Sequence, residues 1–417
     1  MVRVRVIVVG GGIGGLALAA GLRRQGFDVT VLERDTDVTA TGGYHITLDG
    51  RAQEALRRLV PPETVERLLA SSSALRLRDP DAFWDRHGRL LGHGPRLDDS
   101  PSVDIDRITL RSLLADAVGE DLHLGRTVTG LGHADDGTPQ VVLADGSIHR
   151  CDLLVGADGA HSLVSRHLAG GPTSAPAGIV GFSGRTAAEN LSPLERRRLG
   201  TRSGMVIAPR GAALYVGFLD PVGNAVLDAP GRRAAITTGP TYIWGAMFPE
   251  SAETDSIRGL RGKELLDAIL ARFRRQGWGE RPLEIMARAD PGSVAAFRFN
   301  AASSRVRDLA PWPAGRITAL GDAVHATPPT AGMGAGAAIR DAASLLTHLR
   351  EVADGSCTVS VAVSRFEAGM RVRGSEILVS AMRTVRWILA TDTPLGAAVT
   401  ATAAPVIAAV GRLRRRR

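Results

Sequence analysis

The chain has 417 residues, 44% of them hydrophobic and 23% charged, with a formal net charge of +8. That length calls for more than one core, and the composition excludes disordered and collagen-like classes. The charge does not mark a nucleic-acid binder, because Arg412 and Arg414 through Arg417 supply five of the positive charges and aromatic residues are not interleaved with basic ones.

Two cysteines, Cys151 and Cys357, stand far apart without metal-ligand spacing, which argues against a disulfide framework and against a bound metal. A reducing cytoplasm fits, and the first strand begins too close to Met1 for a signal peptide. Lys263 is the only lysine, and it sits in the solvated segment Arg261–Leu266.

In chain order, the first signal is Val6-Ile7-Val8-Val9, a buried strand, running into Gly10-Gly11-Gly12-Ile13-Gly14-Gly15. Gly10 turns the chain, Gly12 lets backbone approach a pyrophosphate, and Gly15 lets the following helix pack closely on the sheet. The helix N-terminus offers unpaired N–H groups and the positive end of its dipole to a dianion. Glu33 lies 18 residues beyond Gly15, at the end of the strand Val29–Leu32, where a carboxylate accepts hydrogen bonds from ribose hydroxyls. The unit specifies a dinucleotide and leaves FAD and NAD undivided.

Asp49–Ala70 has helical spacing, with Ala52, Ala55, Leu56 and Leu59 apolar and Pro61-Pro62 as an interruption. Residues 74–105 read as strands around the turn Asp85–Gly88, and Asp106–Val118 as a helix with Leu110, Leu113 and Leu114 on one face. A hairpin turning at Asp145-Gly146 feeds the buried strand Cys151–Ala157. From about Pro172 to Pro291, strands separated by Gly and Pro, with one helix near 262–276, indicate a second domain on a mostly antiparallel sheet. Arg316–Asp322 reads as another buried strand and Gly334–Val352 as a helix, and the remainder is helical.

Two further motifs, Asp152–Ser162 with Gly156-Ala157-Asp158-Gly159, and Leu320–Ala342 with Gly321-Asp322 and Pro328-Pro329, turn the dinucleotide reading towards a flavin. Asp322, 310 residues after Gly12 at a strand end, is placed to accept hydrogen bonds from a polyol linker, and NAD has no ribityl chain. With Gly10–Gly15, the three motifs resemble the fingerprints of class A FAD-dependent aromatic monooxygenases, the para-hydroxybenzoate hydroxylase fold, in the family's order over residues 1 to about 350. The segment Gly42–Ile46 resembles the flavin-proximal segment of the tetracycline-inactivating subgroup more loosely.

The resemblance implies an α/β fold: a Rossmann-like FAD-binding domain (1–73, 104–171, 294–352), an inserted, mostly antiparallel substrate domain (74–103, 172–293) and a C-terminal helical segment (353–417). It implies FAD contacts at Gly12, Ile13, Gly14, Gly15, Glu33, Arg34, Arg107, Val128, Asp158, Asp322, Pro329, Gly332, Met333 and Gly334. In the family the glycines after Pro329 point backbone N–H groups at the pyrimidine edge of the isoalloxazine. Two departures stand out: Ser165 precedes Arg166 where the family often has arginine directly after the valine, and Gly336 replaces an asparagine. His45 and His325 are expected to pack or to support other groups. Comparison with the tetracycline-inactivating subgroup places Arg185, Met205, Tyr215, Gly217 and Pro329 on the substrate wall.

The activity so implied is an external monooxygenase in which NADPH or NADH reduces FAD, O2 adds at C4a, and the hydroperoxide gives one oxygen atom to an aromatic or polycyclic molecule. Hydroxylation is the leading outcome, and an oxidase or dehydrogenase on the same fold remains open. A flavin-dependent halogenase is disfavoured, because no Trp-x-Trp-x-Ile-Pro segment occurs and Lys263 lies in the wrong region. A second dinucleotide motif is absent, so the nicotinamide cofactor is expected in a surface groove. Thr393–Gly411 is 19 uncharged residues, the length of a membrane span. Its alanines and threonines are weakly apolar and Pro394 and Pro405 interrupt it, so a helix packed across both domains is expected and no membrane partner.

Overall fold

The computed structural model describes residues 4–42 and 45–400, so Gly43, Tyr44 and the arginine-rich end from 401 lie outside the described residues. The chain opens with β1 (Arg5–Val9), α1 (Ile13–Arg24), β2 (Asp28–Leu32), β3 (His45–Leu48), α2 (Gly50–Leu59) and α3 (Pro62–Ala70). There follow β4 (Ser73–Ala74), β5 (Ala82–Trp84), β6 (Leu90–His93), β7 (Val103–Asp106), α4 (Arg107–Val118) and β8 (Leu122–His123). Next come β9 (Val128–His133), β10 (Pro139–Leu143), β11 (Ile148–Arg150), β12 (Leu153–Gly156) and α5 (Leu163–Ala169). The middle of the chain holds β13 (Ser174–Ala187), α6 (Pro193–Leu199), β14 (Gly204–Ile207), β15 (Ala213–Leu219) and β16 (Thr241–Pro249). Then α7 (Ala252–Arg258), α8 (Gly262–Arg275), α9 (Glu280–Ala287), β17 (Ala295–Ala302), β18 (Ile317–Ala319), α10 (Asp322–His325), α11 (Gly334–Ala353) and α12 (Val359–Ala390) complete it.

The β-branched run of β1 is buried because it is central: the sheet order is β18-β12-β1-β2-β8, and every pairing in it is parallel. Buried on both faces, such strands need apolar residues throughout, and Val6 and Val8 are 0% exposed. The crossover from β1 to β2 is α1, and a Cβ at Gly15 would collide with the Gly10 carbonyl, which explains glycine there. α1 packs against α11, whose apolar face (Ile339, Ala342, Leu345, Leu346, Leu349) joins the same core.

The second sheet has seven strands in the order β17-β13-β16-β15-β14-β5-β6, antiparallel except for the parallel pair β14–β5. Strand alternation sorts its two faces. Leu214, Val216, Trp244, Ala246 and Phe248 pack under α8 and α9 with Leu266, Ile269, Phe273 and Ile285. The opposite face carries Met205, Tyr215 and Met247, together with Phe297 and Phe299. α12 lies against α11, β13 and β16, with Val385 and Ile388 buried on that second face.

Three expectations change. The large sheet takes β17, so it extends beyond residue 293, and the strands expected at 74–103 divide between it (β5, β6) and a small sheet ordered β3-β7-β4. The region expected to hold one helix also holds α6, α7 and α9. These are short helices that cap signals reveal better than periodicity does: Ser192 caps α6, and Ser251 with Thr254 forms a capping box on α7. The helix that packs against both large sheets is α12; of the expected segment Thr393–Gly411, residues 394–400 are helical with Leu395 and Val399 exposed, and residues 401–411 lie outside the described residues. Among the described residues no helix is long and apolar enough to cross a membrane.

α10, α11 and α12 are tied by a buried charge network. His325 Nε2 lies 2.6 Å from Asp341 Oδ2, and Arg373 Nη2 lies 3.0 Å from Asp341 Oδ1. Burial works against charging either partner, yet their mutual attraction prevails, raising the His325 imidazole above its ordinary 6.5 and lowering Asp341 below 3.8. A raised histidine stabilises fully below its unfolded value and loses that contribution as pH climbs through its folded one; a lowered aspartate stabilises above its unfolded value. The pair is therefore fully effective between about pH 3.8 and 6.5. The thermal midpoint is expected to fall by a few degrees above pH 6.5 and this fall to vanish in His325→Gln, as scanning calorimetry from pH 5 to 9 would show. Identical slopes in the two proteins would contradict it.

Candidate active site

The three sequence motifs meet at one cleft of about 430 Å³, between the parallel sheet's helix N-termini and the open face of the seven-stranded sheet. Gly12, Ile13 and Gly14 from α1, Ala157 and Gly159 after β12, and Asp322, Pro329, Gly332 and Gly334 line it with Arg107. The far wall is Met205, Tyr215, Ile243, Met247, Phe297 and Phe299.

Two helix N-termini face this space without a side-chain cap: Gly12 before α1 and Met333 before α11. Their first N–H groups are thus free to bind an anionic ligand. A Cβ at Gly12 would meet only the Ala157 carbonyl at 3.8 Å, so backbone is the surface presented, while a Cβ at Gly14 would strike Leu320 and Ala338 at 2.8 and 2.9 Å. Asp322 opens onto the cleft and is exposed there. Desolvation holds its carboxyl above the ordinary value, opposed by His325 and Arg107, and it accepts a hydrogen bond from the Thr327 backbone.

The other expected cofactor residues stand around this lining. Glu33 is 7% exposed, accepts from Gly11 N at 2.5 Å and Asp35 N at 2.8 Å, and so braces the glycine turn from the end of β2. Arg111 was not anticipated. Its buried guanidinium donates to the Gly11 carbonyl at 2.9 Å and the Val38 carbonyl at 3.0 Å and lies 3.1 Å from Asp35 Oδ2, tying α4 to the turn. Its only sequence signal is an arginine on the inward face of an amphipathic helix. Arg34 is 81% exposed at its side chain and near Asp35 only. Val128 begins β9, away from the lining, and Met333 is 40% exposed. Asp158 caps α5: its oxygens accept from Ser162 Oγ at 2.5 Å and Leu163 N at 2.7 Å.

On the far wall, Met205 and Tyr215 line the cleft and Arg185 and Gly217 do not. All four share the open face by strand alternation, but the Arg185 guanidinium lies 2.6 Å from Asp106 Oδ2, anchoring β13 to the residue that caps α4. Gly217 is a socket, since a Cβ there would collide with the His45 ring.

His45 itself lines the cleft, and its side chain is 8% exposed. Burial lowers its pKa, against the pull of Asp104, so the ring is neutral at pH 7. Ser203 Oγ accepts from Arg78 Nη1 at 3.0 Å and from Phe218 N at 3.2 Å, which uses both its lone pairs. Its proton therefore goes to the Tyr215 oxygen, which lies 3.1 Å from His45 Nε2. His45 Nδ1 has no hydrogen-bond partner among the described residues. His325, by contrast, is fully buried in the charge network, as expected of a packing residue.

The uncapped start of α1 and the Asp322 carboxylate at the start of α10 face one cleft, with Glu33 braced behind the glycine turn, an arrangement suited to a flavin dinucleotide. The chain belongs to the FAD binding domain family, whose model matches residues 3–192 and 281–362. FAD is its cofactor. Among curated proteins it is similar to the FAD-dependent monooxygenase paxM of Penicillium paxilli, 28% identical over 84% of this chain and 70% of that one. It is also similar to chloroplastic zeaxanthin epoxidase of Spinacia oleracea, 26% identical over 83% of this chain, and it spans only 48% of that protein's length.

Among solved structures, a FAD-containing monooxygenase of Photorhabdus luminescens superposes with a TM-score of 0.75 at 24% identity, covering 92% of this chain and 98% of that one. Klebsiella pneumoniae HpxO, solved with FAD and uric acid, gives 0.73 at 22% identity over 97% and 92%. Tetracycline destructase Tet(51) gives 0.63 at 18% over 98% and 96%. At these identities the structural likeness concerns the fold.

Proposed function

We propose that the chain is an FAD-dependent monooxygenase that consumes NADPH or NADH and places one oxygen atom of O2 in an aromatic or polycyclic small molecule, with hydroxylation as the leading reaction. The carrying observation is the pairing, across one cleft, of a cofactor side built from two uncapped helix N-termini with a substrate side built from Met205, Tyr215, Ile243, Met247, Phe297 and Phe299. The names of the curated relatives, an epoxidase and an FAD-dependent monooxygenase, support the same class.

Gly12, Ile13 and Gly14 would hold the pyrophosphate, Glu33 the ribose, Asp322 the polyol and the N–H groups opening α11 the pyrimidine edge of FAD, with Arg107 alongside. When bound, FAD supplies hydride acceptance from the nicotinamide and reductive activation of O2; one oxygen atom goes to the substrate and the other leaves as water. The chain's own part is placement and dryness. Open N–H groups at α11 favour negative charge at that end of the cleft without reorganising. Pro328-Pro329 offer no N–H donor, so this wall shapes the space without hydrogen-bonding it. The aromatic and aliphatic wall excludes water and fits a flat, largely apolar molecule. Gly15, Arg34, Val128, Asp158 and Met333 are the further FAD contacts that the resemblance implies. Cys151 and Cys357, both free, suit a reducing cytoplasm.

The test is incubation with NADPH or NADH and a panel of aromatic polyketides under isotopically labelled O2, read by mass spectrometry. One labelled oxygen per product is expected. Oxidation that proceeds equally with another electron acceptor, without label, would assign the chain to the dehydrogenases instead.

A further inference from the structure

The far wall of the cleft is apolar except at one place. Of the side chains that face the cleft from the seven-stranded sheet, Met205, Tyr215, Ile243, Met247, Phe297 and Phe299, Tyr215 alone carries a hydroxyl. His45, on β3 of the small sheet, completes that place. Its ring stacks on the Tyr215 ring with centroids 5.8 Å apart, and its Nε2 lies 3.1 Å from the Tyr215 oxygen. Behind the two rings runs a buried polar chain. Arg78 Nη1 donates to Asp104 Oδ2 at 2.7 Å, to the Phe218 carbonyl at 3.2 Å and to Ser203 Oγ at 3.0 Å, and Ser203 leads on to the Tyr215 oxygen. Asp104 also accepts from Thr47 Oγ1 at 2.5 Å and lies 3.8 Å from His45 Nε2. A buried ion pair adds little net stability, because desolvation offsets its attraction. Here it holds two polar rings in place at the surface of an apolar cleft.

The pair's hydrogen-bonding capacity is not used up within the protein. The His45 side chain is 8% exposed, and its buried Nδ1 has no partner among the described residues. Room for a ligand lies beside the pair: a Cβ on Gly245, the cleft residue paired with Tyr215 across β15 and β16, would meet only the Tyr215 Cβ at 3.8 Å. The pair is also uncharged, since burial holds the Tyr215 phenol above its ordinary value and the His45 imidazole below its own. The arginines behind this wall are taken, Arg78 by Asp104 and Arg185 by Asp106. A neutral pair without a free cation suits a neutral oxygen and leaves a carboxylate unpaid for its desolvation. We propose that His45 and Tyr215 together are the polar anchor of the substrate site, hydrogen-bonding one uncharged ring-borne oxygen of a flat molecule that lies over Gly245. This inference rests on the proposed oxidation of an aromatic or polycyclic molecule, and it adds the group that is recognised and the two residues that read it.

The test uses the FAD-loaded, oxidised protein without any nicotinamide nucleotide, and three probes of similar size: 2-naphthol, 2-methylnaphthalene and 2-naphthoate. Binding is read from the change in flavin absorbance. 2-Naphthol is expected to bind tightest. Its preference over 2-methylnaphthalene is expected to fall roughly tenfold or more in Tyr215→Phe and in His45→Leu, with the Kd for 2-methylnaphthalene held within about twofold in both. His45→Gln, which keeps a donor and an acceptor, is expected to retain part of the preference. Unchanged binding of 2-methylnaphthalene and of FAD shows that a variant is folded, and should His45→Leu fail to hold FAD, Tyr215→Phe and His45→Gln decide. Equal Kd values for 2-naphthol and 2-methylnaphthalene in the wild type, a preference unchanged in either folded variant, tightest binding of 2-naphthoate, or no binding of any probe overturns the proposal. No turnover is involved, so the result is separate from the labelled-oxygen experiment: absent oxygen transfer with the preference intact would sink the proposed reaction and leave the anchor standing.

Discussion

Gly10→Val is expected to leave a protein that folds poorly and carries no FAD. Gly10 sits at φ +107°, a conformation that side chains rarely adopt, and a Cβ there would lie 2.5 Å from the Ala157 carbonyl oxygen and 2.8 Å from the Asp158 Cα. Both obstacles are backbone of the neighbouring strand's end, so no side-chain rotation relieves them. Backbone strain of about 1–3 kcal/mol and overpacking of about 1–3 kcal/mol act together. The sum is a large part of the margin of about 5–15 kcal/mol by which a folded chain survives. Moving the turn would also misdirect the N–H groups of Gly12, Ile13 and Gly14. Denaturant unfolding of the apo-protein, together with FAD titration, checks both parts. A variant with wild-type stability and FAD affinity would show that the glycine turn is not the constraint described.

Asp322→Ala should spare the fold and weaken FAD. The carboxylate, exposed to the cleft and held above its ordinary value by desolvation, accepts from the Thr327 backbone and has acceptor capacity left for the hydroxyls of a polyol chain. Loss of one hydrogen bond to a charged group costs about 1.5–3 kcal/mol, a weakening of roughly 10- to 150-fold. Asp322→Asn keeps an acceptor and should lie between. Fluorescence titration of FAD into the apo-proteins measures all three. Equal affinities in wild type and alanine variant would remove Asp322 from the cofactor site.

The cofactor half of the molecule was largely legible in the sequence because its constraints are local. β1, the Gly10–Gly15 turn, α1, β2 and Glu33 form a contiguous unit in which each residue type answers to one backbone requirement, and the structure places them as expected. The substrate half was legible only in outline. The resemblance to the tetracycline-inactivating subgroup put Arg185, Met205, Tyr215 and Gly217 on the substrate wall, but the choice of an ion pair with Asp106 for Arg185 and of a socket for His45 at Gly217 depends on residues 79 and 172 positions away. Arg111 is hidden for the same reason: nothing within a turn of it marks the buried carbonyls of Gly11 and Val38 that it satisfies. The Asp158 motif reads as a cofactor signature, whereas in the structure its carboxylate makes the hydrogen bonds that start α5.

Whether Gly10–Gly15, Asp152–Ser162 and Leu320–Ala342 assemble one flavin cleft is decided by what the purified protein carries. Flavin absorbance is expected to co-elute with the chain, to be released on denaturation as FAD at about one molecule per chain, and to be diminished in Asp322→Ala. A colourless protein that remains without flavin after incubation with excess FAD would contradict it.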